Sequence, residues 1–284
     1  MRFVAAPKGA ILSGWAAAAP HGIPGDFLDG TSDGTQASPV EFIVPPVDGA
    51  HQRNGLRLRW APCRMDDLVW YHGMPVTNGM RTTTDLTRWA KYPEKALAAI
   101  DMCLRHGLAT RPEVERIQLP RMKGYRGIQL VRDALAIASD RAESPRESEL
   151  RYYWLESGLP PPIVNPEVYD ERGRFLGRVD LLDEESGYGA EYNGHWHEMW
   201  DRPEKDVQRL AALRSLNLTM DEFTKVDVGG PGIGGINSRL RAGYALAIAR
   251  DGRHDAFQIT APSLGLPENH HTLPRFARRS PHRP

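Results

Sequence analysis

A capped helix start near residue 144 sets the organisation of the second half of this sequence. Ser144 stands where an N-cap residue is expected, a proline follows it, and Glu147 occupies the third helical position. Ser, Pro and Glu at this spacing form the capping-box pattern of a helix N-terminus. We expect the helix to run to about Ser157, because a glycine and three prolines close to that point prevent its continuation.

The segments that follow this helix predict an α+β domain. Three extended segments joined by hairpin-like turns come first, followed by a helix, an alternating strand and a final helix. These segments cover residues 163–169, 175–182, 188–192, 204–215, 218–228 and 236–250. The order α-β-β-β-α-β-α indicates a sheet that is flanked by helices.

The first half of the sequence predicts a mixed α and β domain with shorter elements. We expect a small alanine-rich helix and two strands, followed by a group of helices. These elements cover residues 11–19 (helix), 40–44 and 56–60 (strands), and 84–90, 94–106 and 130–139 (helices). The sequence therefore predicts a mixed domain over 1–140, an α+β domain over 141–262 and a polar, basic, disordered tail over 263–284.

The composition limits the classes of function. Lys and Arg number 36 and so do Asp and Glu, so the formal net charge is zero. A neutral chain is a poor clamp for nucleic acid by bulk charge, although a local patch can still contact DNA. Cys63 and Cys103 lie too far apart for a zinc motif. No apolar run reaches the ~18 residues of a membrane span, and no secretory signal is evident, so we expect a cytoplasmic protein with no membrane partner.

Two acidic residues inside extended segments carry the strongest chemical signal. Asp180 lies in an otherwise apolar segment, and Glu191 lies in the segment that is expected to pair back to it. An acid inside a strand is costly unless it is exposed, paired or bound to a cation. A hairpin that aligns the two carboxylates would suit a hard cation such as Mg²⁺. The alternative is that both acids face solvent on a wet sheet.

Three more side chains are candidates for the same site. Glu147 already has a structural task in the capping box, and it can also point toward the two acids. His195 and His197 share a face if their segment is extended, so a zinc pair is one possibility. The other is that His197 acts as a general acid or base beside a metal. The spacing of Asp206 and Arg209 is also that of a surface ion pair on a helix.

Five short motifs in the second domain resemble those of a nuclease family. They are Ser144-x-x-Glu147-Ser148-x-Leu150-Arg151, Gly158-Leu159-Pro160, Gly177-Arg178-Val179-Asp180-Leu181, Glu191-Tyr192-Asn193-Gly194-x-x-His197 and Asp206-x-x-Arg209. In order and spacing they are similar to actinobacterial proteins that end in a restriction-endonuclease-like domain, related to very-short-patch-repair endonucleases and the wider PD-(D/E)XK nucleases. The first domain is similar to the front of those proteins, which is AbiEi-type antitoxin-like. The marks there are Ala16-Ala17-Ala18, Gly73-Met74-Pro75-Val76-Thr77 and Arg81-Thr82-Thr83-x-Asp85-Leu86.

This resemblance implies roles for individual residues. Asp180 and Glu191 would bind Mg²⁺ or Mn²⁺, Glu147 would be a third carboxylate, and His197 would transfer protons or contact phosphate. The wider nuclease superfamily places Lys two residues after the Glu, and closer relatives place Asp there, whereas this chain has Asn193. Asn193 can serve as a third metal ligand through its carbonyl oxygen, but it supplies neither charge nor a general base.

Two functions from different classes follow as expectations. The leading hypothesis is a Mg²⁺-dependent endonuclease that hydrolyses phosphodiester bonds in DNA. The alternative is a catalytically idle nuclease scaffold that acts as an antitoxin-like, DNA-binding regulatory protein, with a cognate toxin or another protein as partner. Asn193 and the neutral net charge favour this alternative. A nuclease directed at RNA or at repair intermediates is a further possibility.

Overall fold

The structure is a computed structural model that describes residues 9–23, 39–44, 55–194, 204–224, 226–228 and 233–260. The chain forms two compact units, Met1–Asp140 and Arg141–Pro284. Helices and mixed sheets occur in the chain together, which confirms the α+β class. Within the ranges given above, no helix combines the length and apolar character needed to cross a membrane. The predicted tail lies outside the described residues.

The first unit contains a five-stranded sheet and five α-helices in its described residues. Its strands are β1 (Ile11–Ser13), β2 (Val40–Val44), β3 (Leu56–Trp60), β4 (Leu68–Tyr71) and β5 (Met74–Thr77). Its helices are α1 (Gly14–Ala18), α2 (Gly79–Trp89), α3 (Pro93–Arg105), α4 (Leu119–Arg121) and α5 (Ile128–Ile137). The strand order is β3-β2-β1-β5-β4, with β2–β3 and β1–β5 parallel and the other neighbours antiparallel.

The prediction of one helix over 11–19 is wrong at its beginning. Ile11–Ser13 form the central strand β1, and the helix starts only at Gly14. Leu12 is buried between Phe42 of β2 and Val76 of β5, so pairing on both sides overrides the helical preference of the alanine-rich segment. Strands over 40–44 and 56–60 are confirmed, and β3 alternates between buried and exposed side chains at its start.

The interior of the first unit includes a paired network of charges carried by helix α2. The Arg81 side chain is 0% exposed and donates to Asp85 and to Asp67, each at 2.8 Å. Arg88 donates to the other oxygen of Asp85 at 2.6 Å. Charges removed from water need partners in good geometry, and these four side chains supply them to one another.

The second unit contains three α-helices and two sheets in its described residues. The helices are α6 (Pro145–Glu156), α7 (Glu204–Ser215) and α8 (Ile233–Ile248). The strands are β6 (Ile163–Val164), β7 (Glu167–Asp170), β8 (Phe175–Arg178), β9 (Leu181–Asp183), β10 (Tyr188–Tyr192), β11 (Thr219–Phe223) and β12 (Phe257–Thr260). One sheet has the order β11-β10-β9-β6 and the other β12-β7-β8, and only the pair β10–β11 is parallel.

Two predicted strands, 163–169 and 175–182, each divide between the two sheets. At the crossing the Asn165 amide donates to the Asp180 carbonyl at 2.9 Å, and the Val179 amide donates to the Pro166 carbonyl at 3.2 Å. Asn165 adopts a left-handed conformation (φ 50°), and Pro166 has no amide hydrogen to donate, so a regular ladder cannot continue there. Asp180 therefore lies between β8 and β9, which corrects the prediction that it lies inside a strand.

Helices cover both faces of the sheet that contains β10. Trp154 of α6 stacks on Tyr188 of β10, with ring centroids 5.0 Å apart, and Gly243 of α8 lies against the same tyrosine. Helix α7 packs on the opposite face, where Leu213 joins a core of strand and helix residues. That core consists of Val168, Val179, Leu182, Leu213, Leu216, Leu218 and Met220. Glu191, on the strand between these helices, points to the α7 side.

Candidate functional site

The hairpin of β9 and β10 brings Asp180 and Glu191 together. Leu181 pairs with Ala190 in the antiparallel register, so Asp180 and Glu191 occupy the next opposed positions. The Tyr192 amide donates to Asp180 Oδ2 at 2.7 Å. The Glu191 side chain is only 9% exposed, which argues against the alternative that both acids face solvent.

The electrostatic environment of Asp180 is strongly unfavourable to its charge. Burial, reinforced by the negative charges of Glu147 and Glu191, raises the pKa of Asp180 from 3.8 to about 8. The hydrogen bond from the Tyr192 amide and the positive charge of Arg209 act in the opposite direction without cancelling the rise. The structure thus places Glu147 and Glu191, the other two acids singled out in the sequence, close enough to repel the charge of Asp180.

Glu147 is fixed at the start of α6 by its neighbours. Ser144 Oγ accepts from the Glu147 amide at 3.2 Å, as the capping pattern predicts. Glu147 Oε2 accepts from the Glu143 amide at 2.7 Å and from Asn165 Nδ2 at 2.8 Å. The Glu147 carboxylate is therefore hydrogen-bonded to the amide of the residue that precedes the N-cap. Through Asn165 it also connects the start of α6 to the strand crossing beside Asp180.

Arg209 of α7 is the partner of Glu191. Its Nη1 donates to Glu191 Oε1 at 2.7 Å and its Nη2 to Oε2 at 2.9 Å, a bidentate pair. Nη1 also donates to the Arg178 carbonyl at 3.2 Å. A Cβ at Gly177 would lie 2.9 Å from Arg209 Cδ, so this glycine makes room for the arginine to cross β8. The side chain of Asp206, the other member of the predicted surface pair, lies outside the described residues.

Glu222 is an acid of this site that sequence reasoning missed. In the parallel pairing of β10 and β11 it stands opposite Glu191, so the two side chains share one face. Asn193 Nδ2 donates to Glu222 Oε2 at 3.2 Å, and the Asn193 amide donates to the Phe223 carbonyl. The missed signal was an acid within an extended segment, the same feature that singled out Asp180 and Glu191.

Asp180 and Glu191 are the two carboxylates of the predicted metal site. Among the residues with described positions, no group of three or more His, Cys, Asp or Glu side chains is placed to hold one metal ion. The predicted metal set of Asp180, Glu191 and Asn193 contains two such residues and an amide, and it stays a prediction. His197, the predicted proton-transfer residue, lies outside the described residues.

Comparisons with known proteins give relatives but no activity. No family model matches the chain, and no solved structure matches it. Two uncharacterized proteins of Mycobacterium tuberculosis, one from strain CDC 1551 and one from strain ATCC 25618, are each 31% identical to it over 179 residues. The match covers 63% of this chain and 61% of each relative, so the chain spans about three fifths of the length of the curated relatives it matches. An argument about function therefore depends on the site.

Proposed function

We propose that the second unit is a metal-dependent nuclease domain that hydrolyses phosphodiester bonds in DNA at Asp180 and Glu191. The observation that carries the proposal is the convergence of these carboxylates with Glu147 in a position where burial, together with the charges of Glu147 and Glu191, raises the pKa of Asp180 to about 8. Acids gathered in this way, one of them with a raised pKa, favour the binding of a positive ligand. The motif resemblance supports the same reaction.

The donors fit Mg²⁺ or Mn²⁺. Both are hard cations that prefer oxygen ligands, and Mg²⁺ is usually held by one or two carboxylates together with water and substrate phosphate. Asp180 and Glu191 would supply the carboxylates, and Asn193 a carbonyl oxygen. Such a cation polarises a phosphate and lowers the pKa of an attacking water.

The residues of the chain have separate tasks in this proposal. Asp180 gives up a proton before it can act as a ligand, because its pKa of about 8 keeps much of it protonated near neutral pH. Glu147 holds the crossing at Asn165 in place and adds negative potential beside Asp180. His197 is proposed to transfer a proton. We place this activity in the cytoplasm, where DNA is present.

The second candidate is a catalytically idle nuclease scaffold that acts as a DNA-binding regulatory protein. A specific observation favours it. Arg209 engages both oxygens of Glu191 and so provides a cation from within the chain. Asn193 supplies no charge and donates to Glu222. In this case the protein would bind DNA, a cognate toxin or another protein without cutting.

Cleavage assays with an Asp180→Ala variant test the nuclease proposal. Supercoiled plasmid, mismatched duplexes, single-stranded oligonucleotides and RNA are incubated with Mg²⁺, Mn²⁺ or EDTA. We expect metal-dependent nicking of DNA by the native chain. In the variant it should fall by at least about 100-fold, the upper end of the cost of losing an outer-shell partner of a metal. Glu184→Ala is the matched control, since it removes an exposed carboxylate from the turn at the other end of β10.

The outcomes separate the candidates. Nicking that is lost in Asp180→Ala and kept in Glu184→Ala supports a nuclease with its site at Asp180. An Asp180→Ala variant that cuts as fast as the native chain contradicts the assignment. DNA binding with no cutting of any substrate supports the idle scaffold, and preferred cutting of RNA supports the RNA-directed alternative.

A further inference from the structure

We propose that Arg209 is an exchange residue: it holds Glu191 in the unloaded site, and it releases this carboxylate to the cation when a phosphate of DNA takes over its guanidinium. The inference rests on the proposed nuclease function and deepens it. Its basis is the bidentate contact between Arg209 and Glu191, in which a partly exposed guanidinium covers both oxygens of a predicted metal ligand.

A cation and Arg209 compete for Glu191. The guanidinium nitrogens lie 2.7 and 2.9 Å from the two carboxylate oxygens. A Mg²⁺ ion bound to either oxygen would stand close to the positive guanidinium. Two positive groups at such a short separation repel each other strongly where water is partly excluded. Binding of the cation therefore favours departure of Arg209 from Glu191.

Arg209 is placed so that it can leave Glu191 for a ligand. Its side chain is 28% exposed, while the carboxylate beneath it is 9% exposed, so solvent reaches the arginine first. The arginine passes over Gly177, which presents no side chain to confine it. A phosphodiester offers two oxygens in a geometry that suits the same planar fork as a carboxylate. DNA can thus replace Glu191 as the bidentate partner.

The neighbouring arginine on β8 is less suited to this exchange. Arg178 makes a bidentate pair with Glu143, at 2.7 and 3.1 Å. Its side chain is about half exposed, and Glu143 is about one third exposed, so this pair lies nearer the surface than Arg209 and Glu191. Release of Arg178 would leave Glu143 without this partner, and Glu143 is not a predicted metal ligand. Release of Arg209 would make Glu191, a predicted metal ligand, available to the cation.

The exchange predicts that DNA and the cation bind with positive coupling. Each ligand removes a competitor of the other, and thermodynamic linkage requires the effect to be reciprocal. Couplings between two sites in proteins typically change affinity about 5- to 150-fold. We expect DNA to tighten cation binding by a factor in this range, and the cation to tighten DNA binding by the same factor.

Calorimetric titration with Ca²⁺ measures this coupling without relying on cleavage. Ca²⁺ takes oxygen ligands as Mg²⁺ does. It is titrated into the full-length native chain alone and into the chain saturated with a short DNA duplex. The same titration of Asp180→Asn with the duplex gives the uptake of Ca²⁺ by DNA itself. The native chain is expected to bind Ca²⁺ about 5- to 150-fold more tightly with DNA than without it.

Arg209→Gln is the decisive variant, since it removes the competing charge. It should bind Ca²⁺ more tightly than the native chain in the absence of DNA, and it should gain less from the duplex than the native chain does, because only the phosphate that ligates the ion still contributes. Arg214→Gln on the same helix is the matched control, because Arg214 is exposed and donates to the Met220 carbonyl. Arg209→Lys keeps the charge but has no planar fork for two oxygens, so it should show weaker coupling than the native chain, and it serves if the glutamine variant fails to fold.

The results of these titrations test the exchange at Arg209 separately from the proposed nuclease function. If the native chain and Arg209→Gln bind Ca²⁺ equally and gain equally from DNA, the exchange is overturned and the nuclease proposal stands. If neither binds Ca²⁺ above the Asp180→Asn background, with or without DNA, the proposed metal site is overturned and the exchange with it.

Discussion

Helix α2 of the first unit and strand β10 of the second both carry charged side chains into the interior, but the balance of charge differs. In the first unit Arg81 and Arg88 meet Asp67 and Asp85, so two positive charges face two negative charges at 2.6–2.8 Å. Each carboxylate of the network accepts from at least one of the two arginines, so its charges are paired within the first unit. Such an arrangement has a structural role in holding α2 against the segments around it.

The second unit leaves its charges unbalanced. Glu147 and Glu191 both act on Asp180, Glu222 stands opposite Glu191 on the neighbouring strand, and Arg209 bonds both oxygens of Glu191. Burial, with the negative charges of Glu147 and Glu191 added to it, raises the pKa of Asp180 to about 8, so this carboxyl holds a proton near neutral pH. The comparison teaches that buried charge alone does not indicate a site, whereas an uncompensated excess of one sign does.

The largest expected effect comes from breaking the balanced network. Arg81→Met leaves Asp67 buried without its bonded arginine and removes one of the two partners of Asp85. Loss of one partner from a buried ion pair costs about 3–5 kcal/mol, so the free energy of unfolding should fall by about that much. Urea denaturation followed by circular dichroism measures it. Arg64→Met, with a side chain that is 61% exposed, is the control and should cost less than about 1 kcal/mol.

A smaller effect of opposite sign is expected in the unbalanced cluster. Because the pKa of Asp180 rises from 3.8 to about 8 on folding, the folded chain holds a proton between about pH 4 and 8 that the unfolded chain has released. Stability from this group is complete below pH 4 and is lost as the pH rises through 8. Asp180→Asn keeps an oxygen for the Tyr192 amide without the charge. It should therefore be more stable than the native chain at pH 8 by roughly 1–3 kcal/mol.

Thermal unfolding across this pH range, without divalent cations, is the measurement for Asp180→Asn. The difference from the native chain should shrink toward zero at pH 4, where both side chains are neutral. Glu184→Gln, in an exposed position, should follow the native curve throughout. A variant that is destabilised at pH 8 as much as at pH 4 would show that the cluster is as balanced as the network in the first unit.

The smallest expected effect sharpens the comparison by leaving the charges unchanged. Ser144→Ala removes the oxygen that accepts from the Glu147 amide at the start of α6. Loss of an N-cap costs about 0.5–2 kcal/mol. Denaturation curves should move by this amount at every pH, with no change in their pH dependence, and Ser144→Asp should restore most of the loss. A pH-dependent shift would mean that the cap controls the acids as well as the helix.

Local signals in the sequence were sufficient for much of the fold. The N-cap at Ser144 predicts α6 correctly, and the apolar segment before Glu191 predicts β10, because both depend on residues close together in the chain. The prediction that Asp180 lies inside a strand is wrong because the division between β8 and β9 depends on a partner segment near Asn165. The Asn-Pro pair at 165–166 did carry a local warning of a break.

The site was predictable only where its members are neighbours in a hairpin. Asp180 and Glu191 face each other across β9 and β10, so their convergence followed from the sequence. Glu222 joins them through parallel pairing with a distant strand, and Arg209 through packing of a helix, and neither relation has a local period. Only the folded chain reveals which acids share a face and which cation neutralises them.

The crossing of two strands between the sheets has a mechanical consequence. Asp180 stands at the joint where β8 of one sheet gives way to β9 of the other, whereas Glu191 lies wholly within the second sheet. Asp180 is held from both sides of this joint, because its carboxylate accepts from the Tyr192 amide of β10 and its carbonyl accepts from the Asn165 amide just before β7. A substitution in β7, remote from both acids, is therefore expected to reach the site through Asn165.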